Sequence, residues 1–241
     1  MILLPNALAQ NRFKILSGSM LKLLAVIFMT IDHTASHLRS VLPFLLIPIS
    51  IGSKSLTLYW IMRQIGRLAF PIFCFLIAEG YQHTKNKKQY SLRLLIFAVI
   101  SEIPFNLRKD LFFDLSSQNV YFTLFLGLML ICAYEGIRGE IKKFLVMAVL
   151  ALIAMVLKAD YGLKGALLVF LIHMLRNRSS AQAVLAYPLL SGGIAALAAF
   201  IPINMYNGER GFIKTPLLKI LFYVYYPLHI LVLAGIRYIL K

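Results

Sequence analysis

Four groups of ionisable side chains lie inside long apolar runs, where a charge costs several kcal/mol and marks function by default. KLLAVIFMTIDHTASHL holds Asp32, His33 and His37. Helix neighbours point about 100° apart, so Asp32 cannot orient His33. The same-face pairs are His33 with His37 and Asp32 with Ser36. An imidazole there suits a general base or a metal ligand, or a plain helix cap bonded to water. GRLAFPIFCFLIAEGYQHTKNKK places Glu79 and His83 four apart, within carboxylate–imidazole reach. Arg67 enters that run just before Pro71, which should kink the helix start; its plainer reading is a snorkelling anchor. Glu102, two residues before Pro104, needs an Arg or His from another helix. In LLKILFYVYYPLHILVLAGI, Tyr225 and His229 stand at i, i+4 within an aromatic cluster that also suits an interfacial belt or packing seam.

These groups need helices in a membrane to position them. The 241 residues are 60% hydrophobic and only 14% charged, with 25 Lys or Arg against 9 Asp or Glu, a net charge of +16. Mean hydropathy is +0.80. A soluble domain has about 45–50% apolar and about 25% charged residues. Soluble enzymes, disordered chains and disulfide scaffolds are therefore excluded. The basic residues sit in short gaps between apolar runs, which points to a membrane and not to nucleic acid. Cys74 and Cys132 lie within apolar runs and read as small core residues.

Counted against the about 20 apolar residues of a crossing, the candidate runs are Met20–Leu38, Leu68–Gln82, Leu92–Leu107, Val120–Ile137, Ile141–Leu157, Leu163–Leu175, Ala181–Ile201 and Leu217–Ile239. The chain is thus expected to be an all-α polytopic bundle of about eight spans. Val41–Gly52, with Pro43 and Pro48, would make nine or ten if it crosses or re-enters. Residues 1–19 read as an interfacial segment, since too few apolar residues precede Ala7-Leu8-Ala9 for a signal peptide. Residues 20–241 read as one transmembrane domain. Eight crossings put both termini on one face with 14 basic residues, among them Arg12, Lys85 and Arg93, which the positive-inside rule makes cytoplasmic.

Three functions fit the buried acids and histidines: acid–base catalysis, a proton-coupled transporter, and an assembly subunit with incidental polar groups. Basic residues of the HTKNKK loop, with Arg67 and Arg93, suit an anionic, phosphate-bearing ligand. Inverted repeats with paired broken helices, common in transporters, are not evident. The balance tilts to an enzyme. SSQNVYFTLFLG and KADYGLKGALL add Asn119 and the Lys158/Asp160 turn as weaker features, read as caps and a solvated hairpin. No Walker sequence, nucleotide-binding glycine fingerprint or HExxH zinc helix is present, and no metal is expected.

The segments GRLAFPIFCFLIAEGYQHTKN, RLLIFAVISEIPFNL, QNVYFTLFLG, ADYGLKGALLV and FYVYYPLHILVL occur in an order that resembles the TraX family of membrane proteins, over about residues 18–239. The type member of that family serves N-terminal acetylation of F-type pilin. More distantly the chain resembles the membrane acyltransferase-3 group. The resemblance implies an inner-membrane acetyltransferase moving acetyl from cytoplasmic acetyl-CoA to a pilin N-terminus or another peptide or glycan. It matches His33 to the catalytic histidine, Arg93 to a CoA-phosphate contact and Tyr226-Pro227-Leu228-His229 to the terminal motif. The double-arginine motif of the acyltransferase-3 group is not clear here. On this reading Asp32, Glu79 or Glu102 sets the His33 tautomer, and Tyr226 or Arg67 supports the oxyanion. Lys85, Lys87, Lys88 and Arg93 hold the phosphates, with His83 and His229 completing the substrate contacts.

Overall fold

Ser17, Thr57, Asn119 and Thr215 each stand just ahead of an apolar run, and each becomes a helix N-cap. Their side chains accept from the backbone N–H of Met20, Trp60, Tyr121 and Leu218. The computed structural model describes residues 14–52, 54–107 and 111–241. Most of the expected interfacial segment, with Ala7-Leu8-Ala9 and Arg12, lies outside the described residues. The helices are α1 (Gly18–Leu38), α2 (Leu58–Gly66), α3 (Ala69–His83), α4 (Lys87–Leu107), α5 (Val120–Gly136), α6 (Glu140–Val156), α7 (Gly162–Met174), α8 (Ser179–Ala186), α9 (Gly193–Leu197), α10 (Phe200–Asn204) and α11 (Pro216–Ile239). The described residues are helical apart from one hairpin and short turns. Among them, four stretches are long and apolar enough to cross a bilayer: α1, α2 joined to α3, α4 and α11.

Side-chain contacts fix the direction of each helix. Let the lower end be the one where α1 begins. Ile213 N–H donates to Ser19 Oγ at 2.8 Å, Thr30 meets the Tyr225 hydroxyl at 2.7 Å, and His33 meets His229 at 2.7 Å, so α1 and α11 run parallel. Helices α3, α5 and α7 run the other way. Phe70 stacks on Tyr161 near the upper end, and Gln82 meets His173 near the lower end. Between α5 and α7, Gly127 faces Val169, where a Cβ would come within 2.6 Å of the valine Cβ. Only glycine admits that approach.

Two expectations change. The run Ala181–Ile201 is not one span. Pro188 opens a 3-10 turn at Tyr187–Leu189, and Gly193 has φ +57, so the run divides into α8, α9 and α10. Gln182 Nε2 donates to the Ile172 and Leu175 carbonyls near the lower end of α7. Ser191 then reaches Arg67 in mid-bundle, and Tyr206 returns to Glu79 and Leu16 at the lower end. This segment goes in and comes back. The described passes therefore leave Lys14 and Lys241 at opposite ends, against the expectation that both termini share one face. Val41–Gly52 neither crosses nor re-enters, in line with the eight-span count, which left it out. Pro43 opens a 3-10 turn and Pro48 starts strand β1 (Pro48–Ile51), which pairs antiparallel with β2 (Lys54–Thr57) at the upper end.

The kink ahead of Pro71 is real, since α2 and α3 meet at Arg67–Leu68. At Pro104 the helix continues to Leu107.

Candidate functional site

A polar contact joins the first and last long helices. His229 Nδ1 lies 2.8 Å from the Tyr225 carbonyl of its own helix. A carbonyl only accepts, so Nδ1 carries the proton and, in the neutral ring, Nε2 holds the lone pair. His33 Nδ1, 2.7 Å from His229 Nε2, is then the donor. The acceptor nitrogen of the pair becomes His33 Nε2. The rings lie parallel with centroids 4.9 Å apart, and the pair can share one added proton across their contact. Tyr226 stands edge-on to both imidazoles, at 6.0 Å from His33 and 5.7 Å from His229. The His37 ring lies tilted 5.7 Å from the His33 ring, and its Nδ1 donates to the His33 carbonyl at 2.9 Å.

Pro227 explains why this part of α11 is accessible to side chains. It lacks an N–H, so the Tyr223 carbonyl four residues earlier loses its helical donor. The Tyr121 hydroxyl donates to that carbonyl instead, at 3.0 Å.

Beside His33, Asp32 accepts from Arg63 Nη1 at 2.5 Å. Arg67 and Asp160 are close enough to act on Asp32 electrostatically. Gly66 makes room for the pair, since a Cβ there would fall 2.3 Å from the Asp32 Cβ. Arg67 lies against the re-entrant tip, with its Nη1 at 3.5 Å from the Ser191 carbonyl and Gly192 at its stem.

A second feature sits below. A cavity of about 540 Å³ is lined by Lys22, Arg93, Arg210 and Lys219 and also by Glu79, His83 and Tyr206. That volume is within the about 300–1,000 Å³ of small-molecule sites. Arg210 and Lys219 lie near enough to Lys22 to repel it. Like charges held together this way are stabilised by a polyanion. Glu79 accepts from His83 Nε2 at 2.8 Å and from the Tyr206 hydroxyl at 3.0 Å. Burial, then the Glu79 charge, push the Tyr206 hydroxyl pKa well up, so it stays a donor.

The structure thus brings together Asp32, His33, Tyr226 and His229, with Arg67 on the neighbouring helix. Glu79, His83 and Arg93 form a separate group in the lower cavity. The His33 ring meets His229, and Glu79 pairs with His83 and Tyr206 in the lower cavity. Asp32 is committed to Arg63. Glu102 accepts from the Asn119 N–H at 2.8 Å and from Asn119 Nδ2 at 2.5 Å, fixing the fully buried cap of α5. Lys85 and Lys88 are exposed and outside the cavity lining, and Lys87 donates to the Tyr81 carbonyl with its ammonium 4.0 Å over the Tyr81 ring. Sequence reasoning missed Arg63, Arg210 and Lys219 as site residues. Arg63 had a signal: it stands four before Arg67, on the same helical face.

The Glu102 geometry makes a prediction. Glu102→Ala should destabilise the fold by about 1–3 kcal/mol, the cost of a buried donor left unpaired. Thermal unfolding in detergent measures this, and the folded fraction should keep its turnover.

A family model described as "TraX protein" matches residues 17–237, nearly the whole span just described. The chain belongs to the TraX family. A TraX relative from Dichelobacter nodosus, named "Probable fimbrial assembly protein FimC, serogroup H1", is 29% identical over 253 aligned positions, 93% of this chain and 97% of that protein. An uncharacterized protein of Rickettsia prowazekii (strain Madrid E) is 32% identical over 137 residues, 57% of this chain and 43% of that protein. No solved structure matches. The TraX match includes both helices that carry the imidazole pair.

Proposed function

We propose that this TraX-family chain is an inner-membrane acetyltransferase that draws acetyl-CoA from the cytoplasm into the lower cavity. It delivers the acetyl group to an amine or hydroxyl acceptor nearer the opposite face. The observation that carries this reading is the His33–His229 pair, oriented by a backbone carbonyl, directly above a basic cavity of ligand size. The chain would cross the membrane seven times, with α8–α10 re-entrant. The loops and helix starts at the lower end carry Lys85, Lys87 and Lys88, then Arg138, Lys142 and Lys143, Arg176 and Arg178, and Arg210, Lys214 and Lys219. The described upper end has Arg39, Lys54, Lys158, Lys164, Arg237 and Lys241. Positive-inside orientation therefore favours a cytoplasmic lower end.

Each residue has a task in the transfer. Lys22, Arg93, Arg210 and Lys219 hold the donor phosphates. His33 Nε2 takes the proton of the acceptor N–H or O–H as the new N–C or O–C bond forms at the thioester carbonyl. His229 Nε2 supports the resulting imidazolium through their shared hydrogen bond. Arg67 stabilises the oxyanion. The C–S bond then breaks, and the leaving thiolate takes the proton back from His33. A fimbrial assembly relative favours a pilin-type peptide as acceptor over a glycan.

The runner-up is a transporter, favoured by the re-entrant α8–α10 segment, because broken helices commonly line transport sites. Acetyl-CoA consumption separates the two. For the enzyme, Arg93→Gln and Lys219→Gln should each raise the KM for acetyl-CoA about tenfold with kcat little changed, the value of one charge-assisted hydrogen bond. An unchanged KM in both variants contradicts the donor site.

A further inference from the structure

The lower cavity stops short of the imidazoles. Its innermost lining is Leu94, Tyr121, Leu124 and Tyr223, whereas His33 and His229 do not line it. The side chain in between is Tyr226. It is 5% exposed, and its ring stands edge-on to Tyr121 at 5.0 Å on the cavity side and to both imidazoles on the other. Its backbone follows from Pro227 and from the Tyr121–Tyr223 contact, so the ring sits on a braced part of α11. Such closure has a physical purpose. A proton-accepting pair open at once to a water-filled basic cavity and to the far half of the bundle would conduct protons across the bilayer.

We infer that the Tyr226 ring is the partition between the basic cavity and the imidazole pair, and that it limits the size of the group admitted to His33. The partition rests on geometry alone. Naming the admitted group as a thioester-borne acyl rests on the function proposed above. A two-carbon acyl displaces little of the ring, and longer chains require it to leave its packed position, which a close-packed interior resists.

The experiment uses the full chain in proteoliposomes, with Cys74→Ala, Cys132→Ala and His33→Cys. A membrane-impermeant maleimide is added on the side of the basic cavity. With Tyr226 or Tyr226→Phe, the introduced thiol should react slowly; with Tyr226→Ala or Tyr226→Leu, labelling should speed up by an order of magnitude. Two truncated variants guard against one that fails to fold, and gel filtration verifies each. Equal labelling rates with and without the ring overturn the inference. A second arm keeps His33 and compares acetyl-, butyryl- and hexanoyl-CoA consumption with alanine amide as amine probe. Tyr226→Ala should accept butyryl-CoA where the native chain favours acetyl-CoA, and an unchanged preference overturns the size limit. If labelling opens but no variant consumes any donor, the partition stands and the acetyltransferase reading fails.

Discussion

Replacing His33 by alanine should lower acetyl transfer by about 10²–10⁴-fold, the usual contribution of a positioned general base. KM for the donor should hardly move, because the cavity proposed to bind it is lined by other residues. His229→Ala should also reduce kcat, by about 10–100-fold, the scale seen when a residue that orients a histidine is removed. The two losses should not add, since one hydrogen bond links the rings at 2.7 Å. Steady-state kinetics on the two single variants and the double variant checks this. If the double variant loses the product of both factors, His33 and His229 act independently and the relay is wrong.

The largest stability effect is expected at Asp32. Its carboxylate pairs with Arg63 at 2.5 Å, and both side chains are mostly buried, at 18% and 28% exposure. Removing one member of such a pair leaves an uncompensated charge and costs about 3–5 kcal/mol. For a chain of this size that lowers the thermal midpoint by about 10 °C in detergent. Removing both charges together, as Asp32→Ala with Arg63→Met, should recover much of the loss. Gly66→Ala should resemble the single variant, because its methyl would occupy the space of the Asp32 side chain. A double variant no more stable than Asp32→Ala would show that the pair is not what the single substitution breaks.

Local pairings were the legible part of this molecule. Glu79 and His83, four apart in sequence, meet at 2.8 Å, and Pro71 marks the junction of two helices. Seven of the eight expected runs each overlap one helix, because length and hydropathy suffice to predict a helix, whereas α2 lies in none of them. The re-entrant segment was not legible by that measure. Ala181–Ile201 has the length and hydropathy of a crossing, and only Pro188 and the Gly192-Gly193 pair hint that it turns back. That single segment reverses the side on which Lys241 emerges. Partners distant in sequence were equally hidden. His33 and His229 are separated by 196 positions, and their meeting depends on α1 and α11 running parallel. Arg210 and Lys219 read as loop and helix-end charges until the loop after α10 folds over the start of α1 and brings them to Lys22.

The account is tested most directly by purified protein in proteoliposomes with its lower end facing outward. Acetyl-CoA is supplied outside, and a peptide with a free N-terminus is trapped inside. The account predicts that the trapped peptide gains the mass of one acetyl group, and that His33→Ala abolishes the gain. A trapped peptide that stays unmodified while acetyl-CoA remains intact, or one acetylated equally well by His33→Ala, would contradict it.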